Sequence, residues 1–100
     1  MNKIARFDLS KKLKSRRRKI DLIDQKILSL LNQRLRIASE IGKIKKQMGT
    51  KIYDPKREKE VLERLRLRLR LRSGNKAHLK EKDLEKIFAT IIKACRRSQR

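Results

Sequence analysis

The chain has 100 residues, 32 of them Lys or Arg against 11 Asp or Glu, for a formal charge of +21. That length supports one small domain, and the charge points to an anionic partner: a polyanion, an anionic membrane surface or a small acidic metabolite. The single cysteine, Cys95, excludes an intrachain disulfide, the single histidine, His78, argues against a Cys/His metal site, and no apolar run approaches the roughly 20 residues that cross a bilayer.

The basic N-terminus lacks the apolar stretch of a secretory signal, and one free thiol suits a reducing compartment, so a cytoplasmic protein is expected. Residues 1–14 read as a basic, poorly ordered lead-in, and residues 15–100 as the folded domain. Ser15 could cap a helix running from about Arg16 to Met48, a stretch with no Pro and one Gly, Gly42. Such a helix is about 45–50 Å long, against a radius of gyration of about 13 Å for a domain of this size. Its far end therefore needs a partner, and a second copy of the chain is the simplest one.

Gly49 and Thr50 end the first helix. Asp54 and Pro55 start the second as N-cap and first helical residue, and Val61, Leu62, Leu65 and Leu69 carry it forward. From Leu65 to Arg72, Leu and Arg alternate strictly, a period-two pattern that taken alone indicates a strand. Both residues are strong helix formers and follow a helical segment, so a helix with leucines on two faces is expected. Ser73-Gly74-Asn75 ends it, and a third helix follows from about Lys80 with the stripe Leu84, Ile87, Phe88, Ile91 and Cys95, extended by Ser98 and Gln99. The fold class is all-α: three helices, the first very long.

Charges interrupt the apolar stripe of the first helix. Ile20, Ile27, Arg34, Ile41 and Met48 share one face, and the companion row Leu31, Ala38 and Lys45 ends in a second cation. A buried charge without a counter-ion costs several kcal/mol, so either a core carboxylate pairs with these cations or a hole is kept for an anionic ligand. Arg34 and Lys45 are separated by about 16 Å along the axis, within converging reach of two long side chains. Two cations on one core stripe favour the ligand site over side chains that snorkel to solvent. Arg57 and Glu58 fall in the first turn of the second helix, where a Glu is ordinarily a dipole partner. Cys95 and Gln99 stand four apart on the third helix, and Gln99 needs a hydrogen-bond partner if the last turn holds. Arg17 lies about 25 Å before Arg34 on the same helix, too far to share a small pocket within one chain.

These residues occur in four fragments: R-R-K-I-D-x-I-D-x-x-I-L-x-L-L-x-x-R from Arg17 to Arg34, E-I-G-K-I-K from Glu40 to Lys45, D-P-x-R-E from Asp54 to Glu58, and I-I-x-x-C-x-x-x-Q from Ile91 to Gln99. In this order and spacing they resemble the all-α chorismate mutase family, whose chains form an intertwined helical homodimer. The resemblance implies rearrangement of chorismate to prephenate, a pericyclic reaction without cofactor or metal. It further implies that Arg34 and the partner chain's Arg17 hold the substrate carboxylates, with Arg57 adding positive charge. Lys45 and Gln99 would donate to the ether oxygen, and Glu58 would accept from the ring hydroxyl near the Asp54 backbone. Cys95 stands where the family usually has Ser and is the weaker donor. The segment between the second and third helices is a few residues longer than is usual there.

Three other readings compete, one of them a regulatory or inactive member of the same family, for which Cys95 and the short C-terminus speak. Isochorismate pyruvate lyase shares the helices and much of the cationic site, but Glu58 suits a hydroxyl at chorismate's ring position. A basic helical nucleic-acid-binding protein would explain the charge but gives no reason for Arg34, Lys45 and Gln99 on core stripes. Nonspecific nucleic-acid attraction is the side property expected of such a charge.

Overall fold

The structure, a computed structural model, describes residues 3–73 and 78–100. Those residues form three helices, α1 (Lys3–Met48), α2 (Pro55–Ser73) and α3 (Glu81–Ser98), with no strand among them. The chain divides into two units, Met1–Gln33 and Arg34–Arg100.

The described part of the first unit is entirely the leading part of α1. Residues 3–14, expected as a poorly ordered lead-in, are helical, and Ser15 lies inside the helix rather than capping it. The physical reason is the absence of any Gly or Pro before Gly42 combined with a run of Lys, Arg, Leu and Ala. Once a helix is nucleated, such residues propagate it without needing an apolar stripe. Ile20 and Ile27, expected on a core stripe, are 57% and 48% exposed in the single chain.

The second unit holds the core. α1 ends at Gly49, whose φ of +70° is the left-handed turn that glycine adopts without a Cβ penalty. The Thr50 N–H donates to Lys45 O at 2.9 Å and the Gly49 N–H to Lys46 O at 3.2 Å, the paired bonds of a Schellman cap. Asp54 caps α2 through Oδ1, which accepts the Arg57 N–H at 3.0 Å, and Pro55 takes the first helical position as expected.

The Leu-Arg run is helical. Leu65 and Leu69, four apart, are half-buried, whereas Leu67 and Leu71 are exposed. The interleaved arginines reach α3: Arg66 pairs with Glu85 and Arg70 with Glu81. With Glu58 paired to Arg96, these partners descend along α3 as they ascend along α2, so the two helices run antiparallel. The Gly74-Asn75 end signal lies outside the described residues.

On α3 the buried side chains are Leu84, Ile92 and Cys95, while Ile87, expected on the stripe, is exposed. The last turn of α3 crosses α1 at Gly42. A Cβ there would stand 2.2 Å from the Gln99 carbonyl oxygen and 2.6 Å from its Cα, so the crossing requires glycine. Ser98 Oγ donates to Leu35 O at 3.1 Å and Lys46 Nζ to Arg100 O at 3.1 Å, fastening the same crossing. Among the described residues no helix is long and apolar enough to cross a membrane.

Candidate active site

Where α3 crosses α1, the second unit forms a half-open cavity of about 320 Å³. Its apolar walls are Ile37, Ala38 and Ile41 from α1, Ile52 from the connecting loop, Val61 from α2 and Ile92 from α3. Helical spacing puts Arg34, Ala38, Ile41 and Lys45 on one side of α1, so both charges on the apolar stripe face this space.

Of the residues singled out from the sequence, Arg34, Lys45, Asp54, Arg57, Glu58, Cys95 and Gln99 all line the cavity. Arg17 does not; it lies on the exposed leading part of α1, in the other unit. Arg34 and Lys45 are half-buried, Arg57 is exposed at the rim, and Cys95 is a buried free thiol. The lining carries four cations, Arg34, Lys45, Arg57 and Arg96, and two carboxylates, Asp54 and Glu58: a formal excess of two positive charges.

Two polar pairs organise this lining. In the first, Lys45 Nζ donates to Ile52 O at 2.7 Å and to Gln99 Oε1 at 2.9 Å. An ammonium has three N–H donors, so one remains for an acceptor in the cavity. Because the Gln99 oxygen faces Lys45, its amide NH₂ is left as a second donor. Gln99 is half-buried and held by the Gly42 crossing, so the final turn does not release it to solvent.

In the second pair, Arg96 grips both oxygens of Glu58 in a two-pronged ion pair. The guanidinium also lies over the Tyr53 ring, 4.4 Å from its centroid. Hydrogen bonding to Glu58, ahead of the charge attraction, pushes the Arg96 guanidinium above its ordinary range. Neither Arg96 nor Tyr53 stands out in the sequence. One arginine among 32 cations has no distinguishing pattern, and its partner is 38 residues away. Glu58 is thus not an isolated carboxylate, and Asp54 has an added duty as the cap of α2.

The arrangement suits a small anion with two negative charges: cations at several points, an apolar wall, and two donors converging from Lys45 and Gln99. It contains no thiol–imidazole or hydroxyl–imidazole pair for nucleophilic attack, since His78 is not in the lining. Among the described residues no group of three or more His, Cys, Asp or Glu is placed to hold a metal ion.

Comparison with known proteins agrees with this shape. Residues 16–100 match the family described as chorismate mutase type II. The chorismate mutase of Methanocaldococcus jannaschii is 47% identical over 55 residues, which cover 55% of this chain and 56% of that protein. The bifunctional chorismate mutase/prephenate dehydratase of Aquifex aeolicus is 40% identical over 84 residues, which cover 83% of this chain and 22% of that protein. The chain therefore spans about half of one relative and about a fifth of the other. A solved structure of a conserved hypothetical protein from Pyrococcus furiosus superposes with a TM-score of 0.69 at 39% identity, covering 89% of this chain and 96% of that one. With the family match extending from α1 through the last turn of α3, the chain belongs to the chorismate mutase type II family.

Proposed function

We propose that the cavity binds chorismate and rearranges it to prephenate. The observation that carries the reading is the Lys45–Gln99 pair in a cavity whose lining has an excess of two positive charges. Chorismate is a dicarboxylate, and its charge complements that excess. Its rearrangement breaks one C–O bond and forms one C–C bond within the molecule, so no nucleophile, proton carrier or cofactor takes part.

Arg34 and Arg57 hold the carboxylates, and Arg17 of the partner subunit completes that grip in an intertwined homodimer. The half-exposed Ile20 and Ile27 row supports such a partner, because a second copy would cover it. Fixing the diaxial, compact conformer converts a rare shape of the substrate into the bound one, and orientation of this kind lowers a barrier by several kcal/mol. The spare N–H of Lys45 and the NH₂ of Gln99 donate to the ether oxygen as it gains negative charge. Donors that strengthen only in the transition state raise kcat rather than merely tightening binding. Glu58 accepts from the ring hydroxyl, and Cys95 contributes a weak donor where a hydroxyl would be stronger. Nucleic acid is attracted only through the net charge, with the salt dependence that such binding carries.

The test is product analysis with chorismate and isochorismate offered separately. Prephenate from chorismate, with no pyruvate from isochorismate, supports the mutase. Pyruvate from isochorismate without prephenate would assign the cavity to the lyase instead.

A further inference from the structure

The Glu58–Arg96 pair raises a question of charge. A carboxylate in the lining of a dianion site repels the ligand unless its charge is offset close by. Arg96 supplies that offset: Nε donates to Glu58 Oε2 at 2.9 Å and Nη2 donates to Oε1, one guanidinium fork across both oxygens. Such bidentate pairing fixes the plane of the carboxylate as well as its charge. An ionised carboxylate offers about four lone-pair sites, so the fork leaves others for a ligand hydroxyl.

The rest of Arg96 is equally anchored. Its guanidinium is stacked on Tyr53, in the loop before α2, and its backbone belongs to the last turns of α3, one turn before Gln99. The two side chains of the pair are 27% and 23% exposed, so solvent screens them only in part. One residue thereby ties the loop, the first turn of α2 and the end of α3 around the cavity.

We infer that Arg96 is a positioning residue: it offsets and orients Glu58, which lets a carboxylate serve a site built for a dianion. This inference rests on the chorismate reading of the same cavity. It makes Arg96 act through Glu58 rather than by touching substrate.

The test compares Arg96→Met and Arg96→Lys in the unaltered chain and in a Glu58→Gln background. The readouts are kcat and KM for chorismate, with the thermal midpoint followed alongside. Arg96→Met exposes an uncompensated carboxylate to the dianion and frees its plane, so KM rises and kcat falls, each by about tenfold. Arg96→Lys keeps the charge but loses the fork, so KM returns to within about threefold while kcat stays about tenfold low. In the Glu58→Gln background no charge needs compensation, and Arg96→Met changes KM by less than about twofold.

A merely structural clamp gives another pattern: equal losses in both backgrounds, tracking the thermal midpoint, and no rescue of KM by Lys. That pattern overturns the inference, as does Arg96→Met with unchanged kcat and KM. Should Arg96→Met fail to fold, Arg96→Lys decides alone: lowered kcat at near-normal KM supports the inference, and unchanged kcat overturns it. An unaltered chain that makes no prephenate removes the functional reading and this inference with it; a productive unaltered chain with either overturning pattern removes the inference only.

Discussion

The leading part of α1 and the remainder of the chain use similar residues to opposite ends. In residues 34–48 of α1, Ala38 is 5% exposed on the cavity wall and Gly42 is buried where the end of α3 lies across it. In the leading part, Ile20, Ile23 and Ile27 are larger and more apolar, yet all three are about half exposed. Within the single chain, the covered part of the helix is the one with a small residue that admits another backbone, and the leading part has no glycine at all. What it offers instead is a continuous apolar row beside a basic stretch, from Lys11 to Lys19, that includes Arg17. The two regions differ in kind: one closes on a cavity, and the other presents a surface that a second copy would complete.

Four substitutions sharpen that contrast. Lys45→Ala removes a donor from the cavity without touching the apolar rows, and kcat should fall by about 10²–10³ with helical content unchanged. Near-normal turnover, measured by loss of chorismate absorbance, would break the assignment of the cavity. Ile27→Glu targets the other region. In an isolated chain it is a harmless surface change; in a dimer it puts a charge into the covered row and should shift the species to monomer with activity down by about tenfold or more. Sedimentation at matched concentrations reads the first outcome, and an unchanged dimer would show that this row is not the contact.

Gly42→Ala tests the crossing itself. Its Cβ meets Gln99 backbone rather than a flexible side chain, so the end of α3 must shift. Overpacking of this kind costs about 1–3 kcal/mol, read by denaturant midpoint, and displaces Gln99 from Lys45. An unshifted midpoint with full activity would contradict the close approach. The smallest effect belongs to Glu81→Gln, far from the cavity. Hydrogen bonding from Arg70 holds the Glu81 carboxyl below its ordinary value of 4.5. A depressed acid stabilises the folded state above that pH, and the contribution is lost as pH falls through the folded value. The pair is solvent-exposed, so Glu81→Gln should lower the thermal midpoint only slightly at pH 7, and the difference should vanish in strong acid.

The parts of the fold that were legible in the sequence are those set locally. Gly49 needs a left-handed turn, Asp54 and Pro55 make a helix start, and the Leu-Arg run follows helix propensity over its apparent strand period. That Arg34 and Lys45 turn toward a shared space was legible because two cations on an apolar stripe conflict with burial, and both line the cavity. Contacts between distant segments were not. Ile92 is buried and Ile87 exposed, a choice of covered face that depends on how α3 packs and that a stripe alone does not encode. The Glu58–Arg96 fork depends on antiparallel packing of α2 and α3, so nothing near either residue announces it. The basic lead-in is helical rather than poorly ordered because it continues an already formed helix without a Gly or Pro, and its charge does not report that continuity.

The most direct test joins the two regions through one activity. Arg17→Ala and Arg34→Ala are each expected to abolish most prephenate formation when expressed alone. Co-expressed, they pair at random, and one cavity in each mixed dimer receives an intact Arg34 from one chain and an intact Arg17 from the other. About a quarter of all sites are then complete, and about a quarter of the unaltered activity should return. A mixture no more active than the separate variants, or an Arg17→Ala chain with full activity by itself, would contradict a cavity completed by the leading helix of a second copy.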